Sequence, residues 1–323
     1  MAESIGLIER AAALLRQREA GTGEPLRPMP PAPGPEAPQP PANAQTAAVS
    51  GAGIAAAPAP ASPAIGSELI LDRGQLASFG ISLPSSERSR SVEEFRLIKR
   101  NLMAAWSPGN GPREQQASRL IMVTSSRPGE GKTFVALNLA LAFASERDVK
   151  ALLVDVDTQH SMLQKMLGIS SDRGLVDVLA GNADLSDVLL RTNLANFLVL
   201  PAGRGGPHVP ELFSSRRMAA LLADMTHRFS DRFIILDTPP CMASSDAVTL
   251  APLVGQVVFV VEAHRTQQEE IEAALSLLSG CPRISLLLNK SDLASEHFGS
   301  YGYGYHYPSG GGDELRSNRP APA

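Results

Sequence analysis

The residues with the clearest chemical potential lie in a glycine-containing turn between an apolar run and a helical segment. Within Arg119–Ala142, the apolar residues before the turn predict a strand, and the Ala/Leu-rich residues after it predict a helix. The turn ends in Gly131, Lys132 and Thr133. A strand, a glycine loop and a helix that begins with Lys-Thr are together typical of a phosphate-binding loop.

Each part of this turn has a predicted task in nucleotide binding. Backbone N–H groups in such a loop point at phosphate oxygens, at the positive end of the following helix. Lys132 would neutralise the β- and γ-phosphates, and the Thr133 hydroxyl would hold Mg²⁺. Ser126 stands where the standard pattern has its first glycine. The predicted nucleotide-binding residues of the loop are Ser126, Pro128, Gly129, Glu130, Gly131, Lys132 and Thr133.

Three carboxylates end two further apolar runs. Asp155 and Asp157 follow the run that begins at Ala151, and Asp237 follows the run that begins at Phe233. Any one of them alone could cap a helix or begin a turn. Carboxylates at the ends of strands beside a phosphate loop are, however, what a Mg²⁺–nucleotide site requires. The sequence therefore predicts an NTP-hydrolysing or phosphoryl-transferring α/β domain.

The elements that position these groups alternate along residues 116–290, which predicts a doubly wound, mostly parallel sheet. The predicted strands are Leu120–Thr124, Ala151–Asp155, Phe197–Leu200, Phe233–Leu236, Gln256–Val261 and Ile284–Leu288. The predicted helices are Thr133–Ser145, Leu212–His227, Ala247–Leu253 and Gln267–Leu278. Asn289 follows the last strand and begins an Asn-Lys-Ser-Asp pattern, so it could hydrogen-bond a guanine or an adenine.

Composition excludes several classes of protein. The chain has 323 residues and a net charge of −4, which argues against nucleic acid as the main partner. Cys241 and Cys281 lie in apolar surroundings and suit a reducing cytoplasm as small core residues. No apolar run approaches the length of a membrane span, and no histidine pair has zinc-ligand spacing. We expect a cytoplasmic chain that reaches a membrane only through a partner.

The N-terminal third differs from this core. Residues 1–20 predict an amphipathic helix that could dock on a partner, and residues 21–66 are Pro/Ala-rich and predict a disordered tether. Residues 67–115 predict an adaptor or oligomerisation segment. Its helical pattern carries Glu93, Arg96 and Lys99 three residues apart, which predicts a shared face. Such a face is either an ordinary solvated stripe or a contact with a neighbouring chain.

All four tyrosines of the chain lie in the C-terminal segment 291–323. They alternate with glycine and other residues as Tyr301, Tyr303, Tyr305 and Tyr307. An aromatic–glycine repeat could self-associate or add an edge strand. Neither alternative explains why the core should lack tyrosine. A flexible cluster of hydroxyl acceptors beside a nucleotide site instead indicates a phosphorylation substrate.

Together these motifs resemble those of the bacterial tyrosine kinases (BY-kinases), which control polysaccharide synthesis and export. The phosphate loop of that family matches Ser125–Thr133, and its acidic motifs match Asp155, Asp157 and Asp237–Pro240. The tyrosine-rich tail is similar to that of the family as well. The family's Glu-x-x-Arg-x-x-Arg oligomerisation helix is matched at 93–99, with lysine in the last place.

Two local features refine the resemblance. The residues Ile8–Ala11 and Glu93–Arg100 resemble the subgroup linked to exosortase-type exopolysaccharide loci. The arginine that often follows the first of the two acidic motifs is absent, and Gln159 and His160 stand in its place.

The resemblance implies an ATP-dependent protein-tyrosine autokinase of exopolysaccharide synthesis and export. It implies Mg²⁺ held by Thr133, Asp157 and Asp237, with Asp155 accepting the proton of the tyrosine hydroxyl. It also implies a membrane-bound polysaccharide co-polymerase-type activator, a homo-oligomer such as a ring, and a tyrosine phosphatase. Recruitment to the inner membrane would then be peripheral, through the activator.

Two other classes share the core motifs. ParA/MinD-type ATPase switches carry a lysine five residues before the phosphate-loop lysine, where this chain has Arg127 followed by proline. Such switches also have no use for a tyrosine tail. A non-catalytic, nucleotide-dependent adaptor of an export complex stays open on the sequence alone.

Overall fold

The computed structural model describes residues 66–83, 90–104, 106 and 118–291. Its strands are β1 (Glu68–Leu69), β2 (Leu120–Ser125), β3 (Lys150–Asp155), β4 (Leu190–Thr192), β5 (Phe197–Leu200), β6 (Arg232–Asp237), β7 (Gln256–Glu262) and β8 (Ile284–Asn289). Its α-helices are α1 (Arg73–Ser78), α2 (Arg90–Ala104), α3 (Lys132–Ala144), α4 (Met162–Leu167), α5 (Leu175–Ala180), α6 (Leu185–Val188), α7 (Val209–Phe213), α8 (Arg216–Arg228), α9 (Ser245–Leu250) and α10 (Gln268–Leu277). The predicted N-terminal helix, the tether up to residue 65 and the tyrosine cluster lie outside the described residues.

The strands form one eight-stranded sheet in the order β1-β4-β5-β3-β6-β2-β7-β8. All neighbouring strands run parallel except β4 and β5, which are antiparallel. The three strands that carry the predicted chemistry, β3, β6 and β2, are consecutive in the sheet. Because they are parallel, their carboxyl ends meet at one edge, and this edge holds the candidate site.

The six predicted strands and the predicted α/β class are confirmed. The short strands β1 and β4 were not predicted. They extend the sheet at the edge beyond β5. The predicted helix Leu212–His227 is wrong as one element, since it is two helices with a break at Ser214 and Ser215. The Ser215 hydroxyl caps α8 by accepting a hydrogen bond from the Met218 N–H at 3.4 Å.

Alternation along the strands divides the core between the two faces of the sheet. On β2, Leu120 and Met122 pack on one face, whereas Ile121 and Val123 pack on the other. Helix α3 covers the second face and stacks Phe143 on a phenylalanine of β6, with ring centroids 4.3 Å apart. The predicted burial of Cys241 and Cys281 is confirmed.

Helix α2 packs on α3 and corrects one prediction. Glu93 and Arg96 are exposed and form an ion pair, as a shared outer face requires. Lys99 is instead buried, donates to the Ala142 carbonyl oxygen at 3.3 Å and pairs with Glu146. The physical reason is helix geometry: six residues rotate Lys99 about 120° away from Glu93. That rotation aligns Lys99 with the buried stripe of α2, whose other members are Phe95 and Leu102.

Candidate active site

The phosphate loop connects β2 to α3 through two glycines with left-handed backbones. Gly129 has φ +87° and Gly131 has φ +96°, a region that favours glycine. At Gly131 a Cβ atom would also collide with the side-chain amide of Asn289. Helix α3 begins directly after Gly131, so its first-turn N–H groups lie at the loop and form an anion-binding end.

Glu130 lies inside the loop rather than facing solvent. Its side chain is buried and accepts hydrogen bonds from the Ser126 hydroxyl at 3.0 Å and from the Arg127 N–H at 2.7 Å. The Thr266 hydroxyl donates to the same carboxylate. The sequence alone does not predict this role of Thr266, because no local pattern marks a contact between residues so distant in the chain.

Asn289 reaches the loop from the end of β8. Its side-chain N–H donates to the Glu130 carbonyl oxygen at 2.8 Å. The structure thus brings this predicted base-contacting residue to the phosphate loop. Its amide nitrogen is engaged in fixing the loop backbone.

The three predicted carboxylates come together at the same edge of the sheet. Asp155 and Asp237 are register partners on β3 and β6, and the Val156 N–H donates to the Asp237 carbonyl oxygen at 2.8 Å. The Asp157 N–H donates to Asp155 Oδ1 at 3.0 Å, and the Thr133 hydroxyl hydrogen-bonds the Asp237 carboxyl. Loop and carboxylates therefore form one polar cluster above buried strands.

Burial dominates the electrostatics of this cluster. Desolvation, followed by the charge of Asp237, raises the pKa of Asp155 well above its usual value. Desolvation also raises the pKa of Asp237 to about 7, against the opposing effects of the Thr133 hydrogen bond and the Lys132 charge. The two carboxyls are therefore poised to gain from any cation bound beside them.

Two buried oxygen atoms of the cluster have no hydrogen-bond donor: Asp155 Oδ2 and Asp237 Oδ1. Unsatisfied buried carboxylate oxygens are rare unless an ion or ligand uses them. Within the described residues no three His, Cys, Asp or Glu side chains form a cage for a metal. Mg²⁺ needs no such cage, because it binds through one or two carboxylates together with substrate phosphates and waters. The oxygen donors of Thr133, Asp157 and Asp237 therefore fit Mg²⁺.

Asp157 has a neighbour that sequence analysis did not assign to the site. Its carboxylate accepts from the N–H groups of Gln159 and His160, each at 3.3 Å. The His160 Nδ1 lies 3.0 Å from Asp157 Oδ1, and the imidazole is half exposed. The segment that lacks the expected arginine thus supplies an imidazole to Asp157 instead.

No helix within the described part of the chain is both long and apolar enough to cross a bilayer.

The loop, the strand-end carboxylates and the parallel sheet define a P-loop α/β nucleotide-binding domain, and a family model described as an AAA domain matches residues 118–276. Tyrosine-protein kinase CpsD of Streptococcus agalactiae is 31% identical over 219 residues, which cover 67% of this chain and 90% of that protein. The chain therefore belongs to the family of bacterial tyrosine-protein kinases.

Other relatives differ in length. Tyrosine-protein kinase wzc of Salmonella typhimurium is also 31% identical over 219 residues, and this chain spans only 29% of its length. The crystal structure of the chimerical protein CapA2B2 matches with a TM-score of 0.58 and 28% identity, over 71% of this chain and 94% of that one. The kinase domain of Escherichia coli tyrosine kinase ETK matches with a TM-score of 0.54 and 24% identity, over 69% and 97% of the two chains, and shows the shared fold.

Proposed function

We propose that this chain is an ATP-dependent protein-tyrosine kinase that phosphorylates its own C-terminal tyrosine cluster in trans. The observation that carries the proposal is the pair of donor-less carboxylate oxygens of Asp155 and Asp237 beside the phosphate loop. Membership of the tyrosine-protein kinase family supports tyrosine as the acceptor. The acceptors would be Tyr301, Tyr303, Tyr305 and Tyr307.

Catalysis in this site would rest on positioning and charge neutralisation. The N–H groups at the start of α3 and the ammonium of Lys132 bind the phosphates. Thr133, Asp157 and Asp237 would hold Mg²⁺, which when bound neutralises charge on the β- and γ-phosphates. Asp155 would accept the proton of the tyrosine hydroxyl as the general base.

The assembly and the partners belong to the same proposal. The exposed Glu93–Arg96 pair on α2 would contact a neighbouring copy of the chain. A membrane-bound, polysaccharide co-polymerase-type activator would recruit the chain peripherally to the inner membrane. The kinase activity of the chain would regulate exopolysaccharide polymerisation and export, with a tyrosine phosphatase reversing the modification.

Incubation of the purified chain with Mg²⁺ and ATP tests the proposal. Phosphotyrosine is mapped by mass spectrometry, and phosphate release is measured in parallel, with and without the activator. Phosphotyrosine in the 301–307 cluster is the expected result. Phosphate release without phosphotyrosine would indicate an ATPase switch, and ATP binding without either product would indicate an adaptor.

A further inference from the structure

The phosphate loop contains a buried carboxylate, although the loop must accept a polyanion. The Glu130 side chain is 1% exposed. Within the described residues, the hydrogen bonds to its carboxylate come from neutral donors: the Ser126 hydroxyl at 3.0 and 3.2 Å, the Arg127 N–H at 2.7 Å and the Thr266 hydroxyl. The first two belong to the loop itself, whereas Thr266 is the one of these three that lies outside it.

The Thr266 hydroxyl is fixed in its direction. Its Oγ1 accepts a hydrogen bond from the Glu262 N–H at 3.0 Å, and its proton is donated to Glu130. Because a hydroxyl has a single proton and the Glu262 contact uses an oxygen lone pair, that proton is given to Glu130. The segment between β7 and α10 therefore presents one oriented donor to the phosphate loop.

We propose that Thr266 is a positioning residue for nucleotide binding, acting through the buried Glu130 carboxylate. This inference rests on the proposed function, since it concerns the affinity of the same site for ATP. Thr266 holds Glu130 inward, and so keeps the left-handed glycines on either side of it, Gly129 and Gly131, in the geometry that directs N–H groups outward. It also reduces the negative charge that the loop presents to the incoming phosphates.

Loss of this hydroxyl has two effects that act in the same direction. Without the Thr266 hydroxyl, the buried carboxylate keeps only the donors of the loop itself, so the nucleotide-free loop relaxes from its binding geometry. Part of the binding energy of ATP is then needed to restore that geometry. The less neutralised carboxylate also repels the triphosphate more strongly. We expect Thr266→Val to weaken ATP binding by roughly tenfold, as loss of a hydrogen bond to a charged group predicts.

Thr226 provides a matched control. Its side chain is 7% exposed and that of Thr266 is 8% exposed, and its hydroxyl donates to the Ala223 carbonyl oxygen at 2.8 Å within α8. Dissociation constants for MgATP are measured by calorimetry on the full chain, with melting temperatures recorded without nucleotide. Thr266→Val should bind ATP about tenfold more weakly, whereas Thr226→Val should bind as the wild type does. Thr266→Ser should restore affinity, because it returns the donor.

A double-mutant cycle with Glu130→Gln isolates the proposed route. In the Glu130→Gln background the Thr266→Val change should cost much less affinity, because the buried charge is gone. Unchanged affinity in Thr266→Val, or an equal loss in both backgrounds, overturns the inference. If Thr266→Val does not fold, Thr266→Ala and Thr226→Ala are compared in the same assays. A wild-type chain that fails to bind MgATP would instead refute the proposed function itself.

Discussion

Asp155 and Asp237 are register partners at the last residues of β3 and β6, so two buried carboxyls lie side by side. Burial, more than any other factor, raises the pKa of both, and the charge of Asp237 raises that of Asp155 further. A folded chain without nucleotide must therefore either protonate these groups or bear the cost of their charges. The site is thus destabilising on its own and gains from bound cations.

This relationship predicts how the stability of the nucleotide-free chain depends on pH. The folded-state pKa of Asp237 is about 7, against an ordinary value of 3.8, so the folded state binds this proton more tightly than the unfolded state. The free energy of unfolding of the nucleotide-free chain should consequently fall as the pH rises from 4 towards 7, by an amount on the order of a few kcal/mol. Urea unfolding at several pH values in EDTA measures the fall.

Asp237→Asn is the variant that isolates the effect. It removes the titrating group, so its stability relative to the wild type should increase between pH 5 and pH 8. A stability difference that does not change over this range would contradict the assigned environment of Asp237. Adding Mg²⁺ and ATP at pH 8 should raise the melting temperature of the wild type more than that of Asp237→Asn, because the wild type alone keeps the carboxylate.

A second prediction concerns Lys132, at the start of α3. Its ammonium is buried beside Asp237, and the proposed function places it on the phosphates. Lys132→Met should lower autophosphorylation by at least about 100-fold, the usual cost of losing one preorganised electrostatic contact. The fold should persist, because methionine keeps the aliphatic stem. Undiminished phosphotyrosine in this variant, measured by mass spectrometry, would remove the nucleotide-site assignment.

The third prediction separates two residues of α2. Arg96→Ala removes only an exposed ion pair and should change the free energy of unfolding by less than about 0.5 kcal/mol. Lys99→Met leaves the Ala142 carbonyl and Glu146 without their cation and should cost about 1–2 kcal/mol. Chemical unfolding measures both values.

For assembly the order of the two variants should be reversed, with Arg96→Ala having the larger effect on the oligomeric state. Light scattering should show that Arg96→Ala lowers the oligomeric mass, whereas folded Lys99→Met keeps it. If Lys99→Met were the variant that dissociates at unchanged stability, lysine and not arginine would face the neighbouring chain.

The central strands and the phosphate loop could be predicted because their signals are local. Each central strand is an apolar run that ends in a turn or a carboxylate, and parallel topology brings those ends together without further information. Strand β1 could not be predicted in this way, since two residues carry no periodicity. Strand β1 pairs with β4 only once the rest of the sheet has formed an edge for it, and no local pattern in the sequence records that pairing.

The side-chain network of the site was harder to predict for the same physical reason. The contact between Thr266 and Glu130 joins residues 136 positions apart, and nothing next to Thr266 marks it. Lys99 differs for another reason, because three residues spaced three apart on a helix do not all share one face. The rotation of the helix is decisive there, and the pattern of Phe95 and Leu102 would have placed Lys99 inward.

The last prediction concerns which chain phosphorylates the tyrosines. An extended segment from Lys290 to Tyr301 spans at most about 36–40 Å, enough to cross a subunit boundary if neighbouring chains pack side by side through their α2 faces. Lys132→Met supplies an intact tail without a working site, and a chain that ends at Ser291 supplies a working site without the tail. When the two are mixed with Mg²⁺ and ATP, phosphate should appear on the tail of the Lys132→Met chain.

Three matched samples make this result decisive. Neither chain alone should yield phosphotyrosine in the tail, and a Lys132→Met chain with all four tyrosines changed to Phe should stay unmodified in the mixture. Adding Arg96→Ala to both chains should reduce the transfer, because the proposed neighbour contact is lost. An unmodified Lys132→Met tail, in a mixture whose wild-type counterpart phosphorylates itself, would show that transfer occurs within one chain.

Each added phosphate carries about −1.5 to −2 charges, so a fully modified tail should favour dissociation of the oligomer by repulsion from the acidic site.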